Sequence, residues 1–582
     1  MDAFLWVTGS FVVADYVVFA MLLVLSAAIG VYTGWTARGQ GGAGHFLTGS
    51  RKLTALPVSA SLITTFMSSV TLLTNPVEVY QYGAIFGLLS ISYIVAIVVS
   101  SEIFLPFFYR LNITSVYEYL ELRFNRTIRL LGTLLFIAQA ILLNGLIIYA
   151  PALALNQGRL CLLTAVSHSH GLRQFSLLFC LYRGWYGSVG LMLAGNLSVI
   201  IKAVMLQGGV GTIWSDAQQG GRINLWDFDP NPQRRNTFWT LTIGGAFGWT
   251  TTYGTNQAQV QTYISCKSVT HARVALYINL LGLMAVLLSS VFAGLCLYSV
   301  YKSCDPHTAG LVSASDQLMP YLVMDILTGY PGLPGLYFAA VYSGTLSTVS
   351  CTINSLAAVT LEDLIKPFTS LSAKQLSILS KGLSKWFILV YHIYAAYSLF
   401  ILWLRHSLLF DVLVVYVFLQ GCLSGLVSGV MASVCVILGA LVSTPTPEMT
   451  RPLPLTTEGC NFTTSLNSTF TALPTQLAPF TTAIHRGLDG WHSISYLYYG
   501  VIGTLVALIV GIIVSLLTGH REKVDPTLTL KREDTLSYHL FKFLKEKVSA
   551  AGGRKETCHG PSNKTGSSTN SEIYLTKISL NT

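Results

Sequence analysis

Charge is what this sequence has least of. Only 10% of its 582 residues are Asp, Glu, Lys or Arg, against roughly 25% in soluble globular domains, and that shortage excludes a soluble fold. Acid is the scarcer sign, 25 residues against 35 basic ones, for a net charge of +10. The basic residues are spread over short connections and a tail rather than gathered on one face. The excess therefore reads as membrane topology, and no nucleic-acid partner is expected. Ten cysteines are present, but no CxxC or Cys/His run spaces them as metal ligands. Cys161, Cys180, Cys296, Cys351, Cys422 and Cys435 lie in apolar stretches, as small core residues do. No HExxH, Ser/His/Asp or paired-carboxylate pattern occurs, so neither an enzyme nor a cofactor is expected. Continuous rather than alternating apolar runs exclude a β-barrel. The first run lacks a basic n-region and a small-residue cleavage site, and is read as a retained span rather than a leader.

Apolar sequence is abundant: 52% of residues are hydrophobic and the mean hydropathy is +0.58. Runs long enough to cross a bilayer at about 20 residues each lie near 11–34, 55–75, 84–108, 129–156, 238–257, 274–300, 334–360, 386–404, 421–443 and 493–518. Further apolar material at 160–201 and 405–420 brings the expected total to between eleven and thirteen spans. The fold class is thus an all-α polytopic membrane protein in a lipid bilayer. The loop at 36–53 carries Arg38, Arg51 and Lys52 with no acid, and the tail after Gly519 is basic. The positive-inside rule makes both cytoplasmic, which puts the N-terminus outside and requires an odd number of spans; thirteen satisfies it.

The chain then divides into a first span at 1–35, a core at 36–443, an outer loop at 444–491, a last span at 492–518 and a cytoplasmic tail at 519–582. The Thr-, Pro- and Ser-rich outer loop holds two sequons, at Asn461 and Asn467, both expected to be glycosylated. Cys304 and Cys460 both fall in outer loops, where they are available to form a disulfide.

Two spans carry unusual chemistry. The second, from Pro57 to Pro76, is dense in Ser and Thr and ends in Asn75-Pro76, where the missing proline N–H predicts a break that frees carbonyls. Interrupted helices near the midplane are a frequent cation-binding device in secondary transporters. A later span, Ser343 to Asn354, places Gly344, Ser347 and Thr348 at i, i+3 and i+4, on one helical face. Neutral oxygens at that spacing suit a weakly held monovalent cation, whereas a Ca²⁺ site would want carboxylates. The same small residues equally suit close helix packing.

At these residues the sequence resembles the sodium/solute symporter family, and within it the monocarboxylate carriers. The resemblance rests on Asp15–Phe19, Thr65–Ser68, Pro76–Tyr80, Thr114–Asn125, Tyr149–Asn156, Asn256–Gln261, Asp316–Pro320, Pro331–Gly335, Gly344–Val349 and Leu361–Pro367. It implies thirteen spans and a leucine-transporter-like inverted-repeat core, with spans two to six repeated in seven to eleven. It further implies a sodium site made by the carbonyls of Thr64, Met67 and Gly344 and the hydroxyls of Ser347 and Thr348. A second sodium or the substrate is expected near Ser68, Thr71 and Tyr149. The implied activity is sodium-coupled symport of lactate, pyruvate, short-chain fatty acids or nicotinate, with sodium as co-substrate, by a multi-pass protein of the plasma membrane. Sodium-dependent iodide or multivitamin symport is the alternative.

Two stretches depart from the family pattern. Gly158 to Asn196 contains no Asp or Glu, although relatives carry an acidic residue there that is implicated in sodium handling. Read one base later, the codons open to Cys180–Gly187 permit Val-Tyr-Thr-Ala-Val-Gly-Met, which resembles the family. A frame or splice change across 158–190 is therefore expected, and a transport-inactive product is a further alternative. The stretch 385–420 lacks the Gly-Gly-Pro-containing span of the family. The C-terminal Leu580-Asn-Thr582 does not supply the PDZ-binding Thr-x-Leu of monocarboxylate members, so no PDZ partner is expected.

Overall fold

A computed structural model describes residues 11–36, 51, 53–111, 113, 115–157, 185–370, 372, 375–376, 378–380, 382–384, 386–387, 419–442, 450–460, 494–518, 538 and 542. Met1–Leu530 is one compact unit; Lys531–Thr582 is a second, of which Tyr538 and Lys542 are described. Among the described residues the structure is helical, with a single isolated parallel bridge, Leu53 to Cys266.

Helix α1 spans Val13–Thr36. The second apolar run is two helices, α2 (Ala55–Phe66) and α3 (Ser69–Tyr82), bent by 58°. A long apolar rod, α4, covers Ala84–Leu111, followed by α5 (Val116–Arg123) and α6 (Arg126–Gln157). Next come α7 (Trp185–Gln207), α8 (Val210–Gln219), α9 (Gly245–Gly254), α10 (Gln257–Ile264) and α11 (Val269–Tyr301). The set ends with α12 (Leu318–Leu327), α13 (Leu333–Val359), α14 (Leu419–Val442) and α15 (Tyr499–Thr518). Seven stretches are long and apolar enough to cross a membrane, or eight with the bent α2–α3 pair, among the described residues. The count of thirteen is not reached on these; expected crossings within 158–184 and 388–418 lie outside the described residues, as does the expected frame change over 158–190 up to residue 184. Asn461 and Asn467 also lie outside them.

The break in the second run does not fall at Pro76. That residue lies inside α3, which continues to Tyr82. Proline removes the N–H that would bond the carbonyl four residues back, here Leu72, and the Tyr337 hydroxyl of α13 donates to that carbonyl instead at 3.1 Å. The same device recurs in α6, where Pro151 frees the Ile147 carbonyl and Ser69 Oγ donates to it at 3.2 Å. Neighbouring hydroxyls thus let two helices run through a proline, as intramembrane helices can.

Close approaches fix the packing around α13. Gly332 adopts φ +97° and its N–H donates to Asp15 Oδ1 at 2.7 Å. A Cβ on Gly335 would stand 2.3 Å from the Asp15 carbonyl oxygen, so only glycine lets α1 seat there. On α7, Gly195 meets Ala340 of α13, the small-residue contact typical of membrane helices. Of the cysteines read as core, Cys296, Cys351 and Cys422 are buried, whereas Cys435 is exposed on α14. The helix meets α15 through Gly421, Gly425 and Gly429, and an apolar run alone did not reveal that Cys435 is exposed. Cys161 and Cys180 lie outside the described residues.

The two ends of the bundle differ. At the end holding Leu53, Lys267 N–H donates to the Leu53 carbonyl at 3.0 Å and Arg51 lies over the Tyr109 ring. There Asp363, 1% exposed, pairs with Arg129 and accepts from Ser115 Oγ at 2.8 Å and Thr133 Oγ1 at 2.9 Å. At the opposite end a strap at 450–460 crosses the end of α3. Leu453 N–H donates to the Gln81 carbonyl at 2.8 Å, and Arg222 donates to the Pro454 carbonyl at 2.9 Å. Cys304 and Cys460 are joined in a disulfide there, with Cα atoms 5.0 Å apart.

Tyr337→Phe is expected to lower thermal stability by about 1–3 kcal/mol, the cost of leaving a buried carbonyl unpaired. Adding Pro76→Ala restores the helix's own donor, so the loss on Tyr337→Phe should shrink in that background. Equal losses in both backgrounds, in melting curves of the purified protein, contradict the pairing.

Candidate functional site

The break lies at Met67–Ser68. Met67 leaves the helix with ψ 82° and Ser68 is extended, with no side-chain bond capping α3. A helix end exposes its last carbonyls and a helix start its first amides, so this one break presents both kinds of backbone group. Thr64 turns its hydroxyl back on its own helix, within 3.1 Å of the Ala60 carbonyl and 3.2 Å of the Ser61 carbonyl. Its carbonyl is left to face α13, where Thr348 Oγ1 lies 3.4 Å from it and 3.1 Å from the Gly344 carbonyl.

Gly344 is the residue that brings the two elements together. A Cβ built on it would lie 3.0 Å from the Met67 carbonyl oxygen and 3.2 Å from Met192 Cε. One turn on, Ser347 is fully buried and its hydroxyl has no hydrogen-bond partner. Burying a hydroxyl unpaired costs roughly 1–3 kcal/mol by protein mutational measures. The structure therefore gathers Thr64, Met67, Gly344, Ser347 and Thr348, with carbonyls and hydroxyls the only oxygens they contribute.

A cavity of about 440 Å³ adjoins them. Thr65, Ser68, Thr71 and Asn75 line it from the bent pair, Tyr93 from α4, Gln139 from α6, Trp249 and Thr252 from α9, and Thr348 from α13. Tyr93 and Trp249 meet edge to face with centroids 4.7 Å apart. Among the described residues, no Asp, Glu, Lys, Arg or His lines it. The start of α3 borders it through Ser68, Val70 and Thr71, so its first amides and the positive end of its dipole lie at the cavity wall. Thr348 belongs to both the cavity and the oxygen cluster. Ser68 and Thr71 are at the cavity as expected; the Tyr149 side chain lies outside the described residues.

Gln139, Tyr93, Trp249 and Tyr496 were not singled out from the sequence. Gln139 carried a readable signal, a lone amide within an apolar span, since polar groups at membrane depth are costly. Trp249 to Thr252 form a second hydroxyl run that had the same meaning. The aromatic pair had no such mark.

Helices long and apolar enough to cross a membrane, a broken span and a largely apolar cavity with a few hydroxyl and amide groups are the marks of a multi-pass membrane transporter. The chain belongs to the sodium:solute symporter family, which it matches over residues 46–444. It is similar to the human sodium-coupled monocarboxylate transporter 1, with 50% identity over 578 residues covering 93% of each chain. It is more distantly similar to the human sodium-coupled monocarboxylate transporter 2, 42% identical over 89% of this chain and 86% of that one. The human sodium/iodide cotransporter is 39% identical over 87% and 83%. Its fold is that of a Na⁺-coupled sialic acid symporter solved in a substrate-bound outward-open state, with a TM-score of 0.69 at 20% identity, covering 89% of this chain and all of that one.

Ser347→Ala removes a hydroxyl with no protein partner, so melting in sodium-free buffer should be unchanged or slightly raised. Thr348→Ala loses its carbonyl contacts and should melt lower. Equal destabilisation of both variants contradicts the unpartnered Ser347.

Proposed function

We propose that this protein is a sodium-coupled symporter of small monocarboxylates such as lactate, pyruvate, short-chain fatty acids and nicotinate. It acts at the plasma membrane by alternating access, on a leucine-transporter-like inverted-repeat core. The observation that carries this reading is the buried Ser347 hydroxyl, unpartnered and grouped with Thr348 against the carbonyl end of α2. Sodium, as co-substrate, takes the carbonyls of Thr64, Met67 and Gly344 and the hydroxyls of Ser347 and Thr348. The substrate occupies the cavity beside Ser68 and Thr71. Its carboxylate is stabilised by the amides at the start of α3 and by the sodium next to it, so no arginine is needed at the cavity wall. Similarity to monocarboxylate transporters over nearly the whole chain supports this substrate class.

The transport cycle needs no covalent step. Sodium binding draws α2 and α13 together at Gly344 and neutralises the place where the carboxylate will sit. Rocking of the two repeats then exposes ion and anion to the other side, driven by the sodium gradient.

Expressing cells should show sodium-dependent uptake of labelled lactate or nicotinate, and little of iodide or biotin. Uptake of iodide or biotin instead reassigns the substrate, and no uptake of any of them refutes transport. Ser347→Ala or Thr348→Ala should raise the sodium concentration for half-maximal uptake. Unchanged sodium dependence in both variants refutes the ion site.

A further inference from the structure

Among the described residues no charged side chain lines the cavity, yet a cation stands beside its outer rim. On α3, Thr71, Asn75 and Glu78 recur at i, i+4 and i+7, which places them along one face. Thr71 and Asn75 line the cavity. Glu78, 9% exposed, is held by Arg235 through two parallel bonds, Nε to Oε1 at 2.8 Å and Nη2 to Oε2 at 3.0 Å. Asn236 Nδ2 donates to the same Oε1 at 2.8 Å.

The guanidinium also lies over two rings, 4.8 Å from the Tyr82 centroid and 5.0 Å from that of Tyr496. Tyr496 is itself a wall of the cavity. Ser495 Oγ donates to the Arg235 carbonyl at 2.9 Å, tying the arginine's loop to the residue before that wall. The Arg235 side chain is 34% exposed, so solutes reach it, while that of Glu78 is 11% exposed. Among the described residues, the neighbouring outer cations are engaged elsewhere, Arg451 with Asp227 and Asp229. Arg222 is buried against the carbonyls of Tyr80, Gly220 and Pro454, Arg234 pairs with Asp229, and Lys302 pairs with Asp216.

We propose that Arg235 is a carboxylate-capture residue at the outer mouth and that Glu78 is its resident stand-in. An incoming monocarboxylate takes the place of the Glu78 carboxylate on the guanidinium fork, and the anion then passes Tyr496 into the cavity beside Asn75 and Thr71. The exchange swaps one bidentate carboxylate for another on the guanidinium, so no bond is made or broken covalently, the arginine is never left unpaired, and the displaced Glu78 carboxylate keeps the Asn236 amide as its donor. Arginine suits this role because its planar fork matches a carboxylate, whereas lysine offers a point charge. The inference rests on the proposed monocarboxylate activity of the same cavity.

The test is sodium-dependent uptake of labelled lactate in cells expressing the full chain, with surface protein measured by labelling from outside. Wild type is compared with Arg235→Gln, Arg235→Lys, Glu78→Gln and the exchanged pair Glu78→Arg with Arg235→Glu. Arg235→Gln should raise the lactate KM about tenfold or more, the scale of one hydrogen bond to a charged group, with the sodium half-saturation unchanged. Arg235→Lys should recover part of that loss. Glu78→Gln removes the competitor and should lower the lactate KM. The exchanged pair should recover surface protein but not the wild-type KM.

A wild-type KM in Arg235→Gln overturns the capture role, as does one in the exchanged pair, because a merely structural ion pair tolerates exchange. If Arg235→Gln does not reach the surface, Glu78→Gln decides, and an unchanged or higher KM there overturns the inference. Wild type that passes iodide but no lactate overturns the monocarboxylate reading and the inference together. An unchanged KM in a lactate-carrying protein overturns the inference alone.

Discussion

A backbone group released inside a bilayer must find a new partner, because no water is at hand to take it. The second span and its neighbours meet this constraint in two ways. At Pro76 and Pro151 the released carbonyls, Leu72 and Ile147, accept hydroxyls from Tyr337 and Ser69. The helices stay whole and both interruptions are closed by protein. At Met67–Ser68 the chain breaks, and there the protein leaves the account open, since the nearby Ser347 hydroxyl is buried without a partner. The two prolines are structural features of their helices; on the proposed assignment, the break is where sodium completes the bonding.

Ion pairs are placed away from that break, toward the two ends of the bundle. Arg129 and Asp363 join α6 to the extension of α13 at one end, and Arg235 and Glu78 join the loop before α9 to α3 at the other. Burying such a pair adds little net stability, because desolvation offsets the attraction, yet removing one partner costs several kcal/mol, of the order of 3–5. A contact with those properties is cheap to exchange for an equivalent partner and expensive to abandon. That asymmetry suits positions where contacts must be replaced as a transporter changes state.

Much of this was legible in the sequence, and the parts that were not share a cause. Apolar runs mark the seven or eight described stretches long enough to cross a membrane, and the spacing of Gly344, Ser347 and Thr348 marks one face of α13. The break was misplaced at Pro76 because proline was the only local sign of interruption. Met67 and Ser68 carry no glycine or proline, and their departure from helical geometry is paired with the approach of Gly344, far along the chain. Tyr337, which keeps α3 intact through Pro76, is separated from Leu72 by 265 residues. Glu78 and Arg235, 157 residues apart, each read as an unremarked charge near a span end. Spacing within an element is visible to sequence reasoning; which elements face each other is not.

The scarcity of charge that excludes a soluble fold also bears on how ion and anion would be coupled. A fixed carboxylate in the cavity would hold sodium whether or not substrate were present, and would repel a substrate that is itself an anion. On the proposed assignment, Thr64, Met67, Gly344, Ser347 and Thr348 offer only neutral oxygens, so the counter-charge for sodium comes from the substrate. Thr348 lies at both the oxygen cluster and the cavity wall, which puts the two occupants side by side. At about 4 Å and an effective dielectric of about 20, opposite unit charges attract by about 4 kcal/mol. A mutual attraction of that order raises the affinity of each site for its ligand by the same factor when the other is filled. Neutral walls are therefore the condition for coupling, because they leave ion and anion to supply each other's charge.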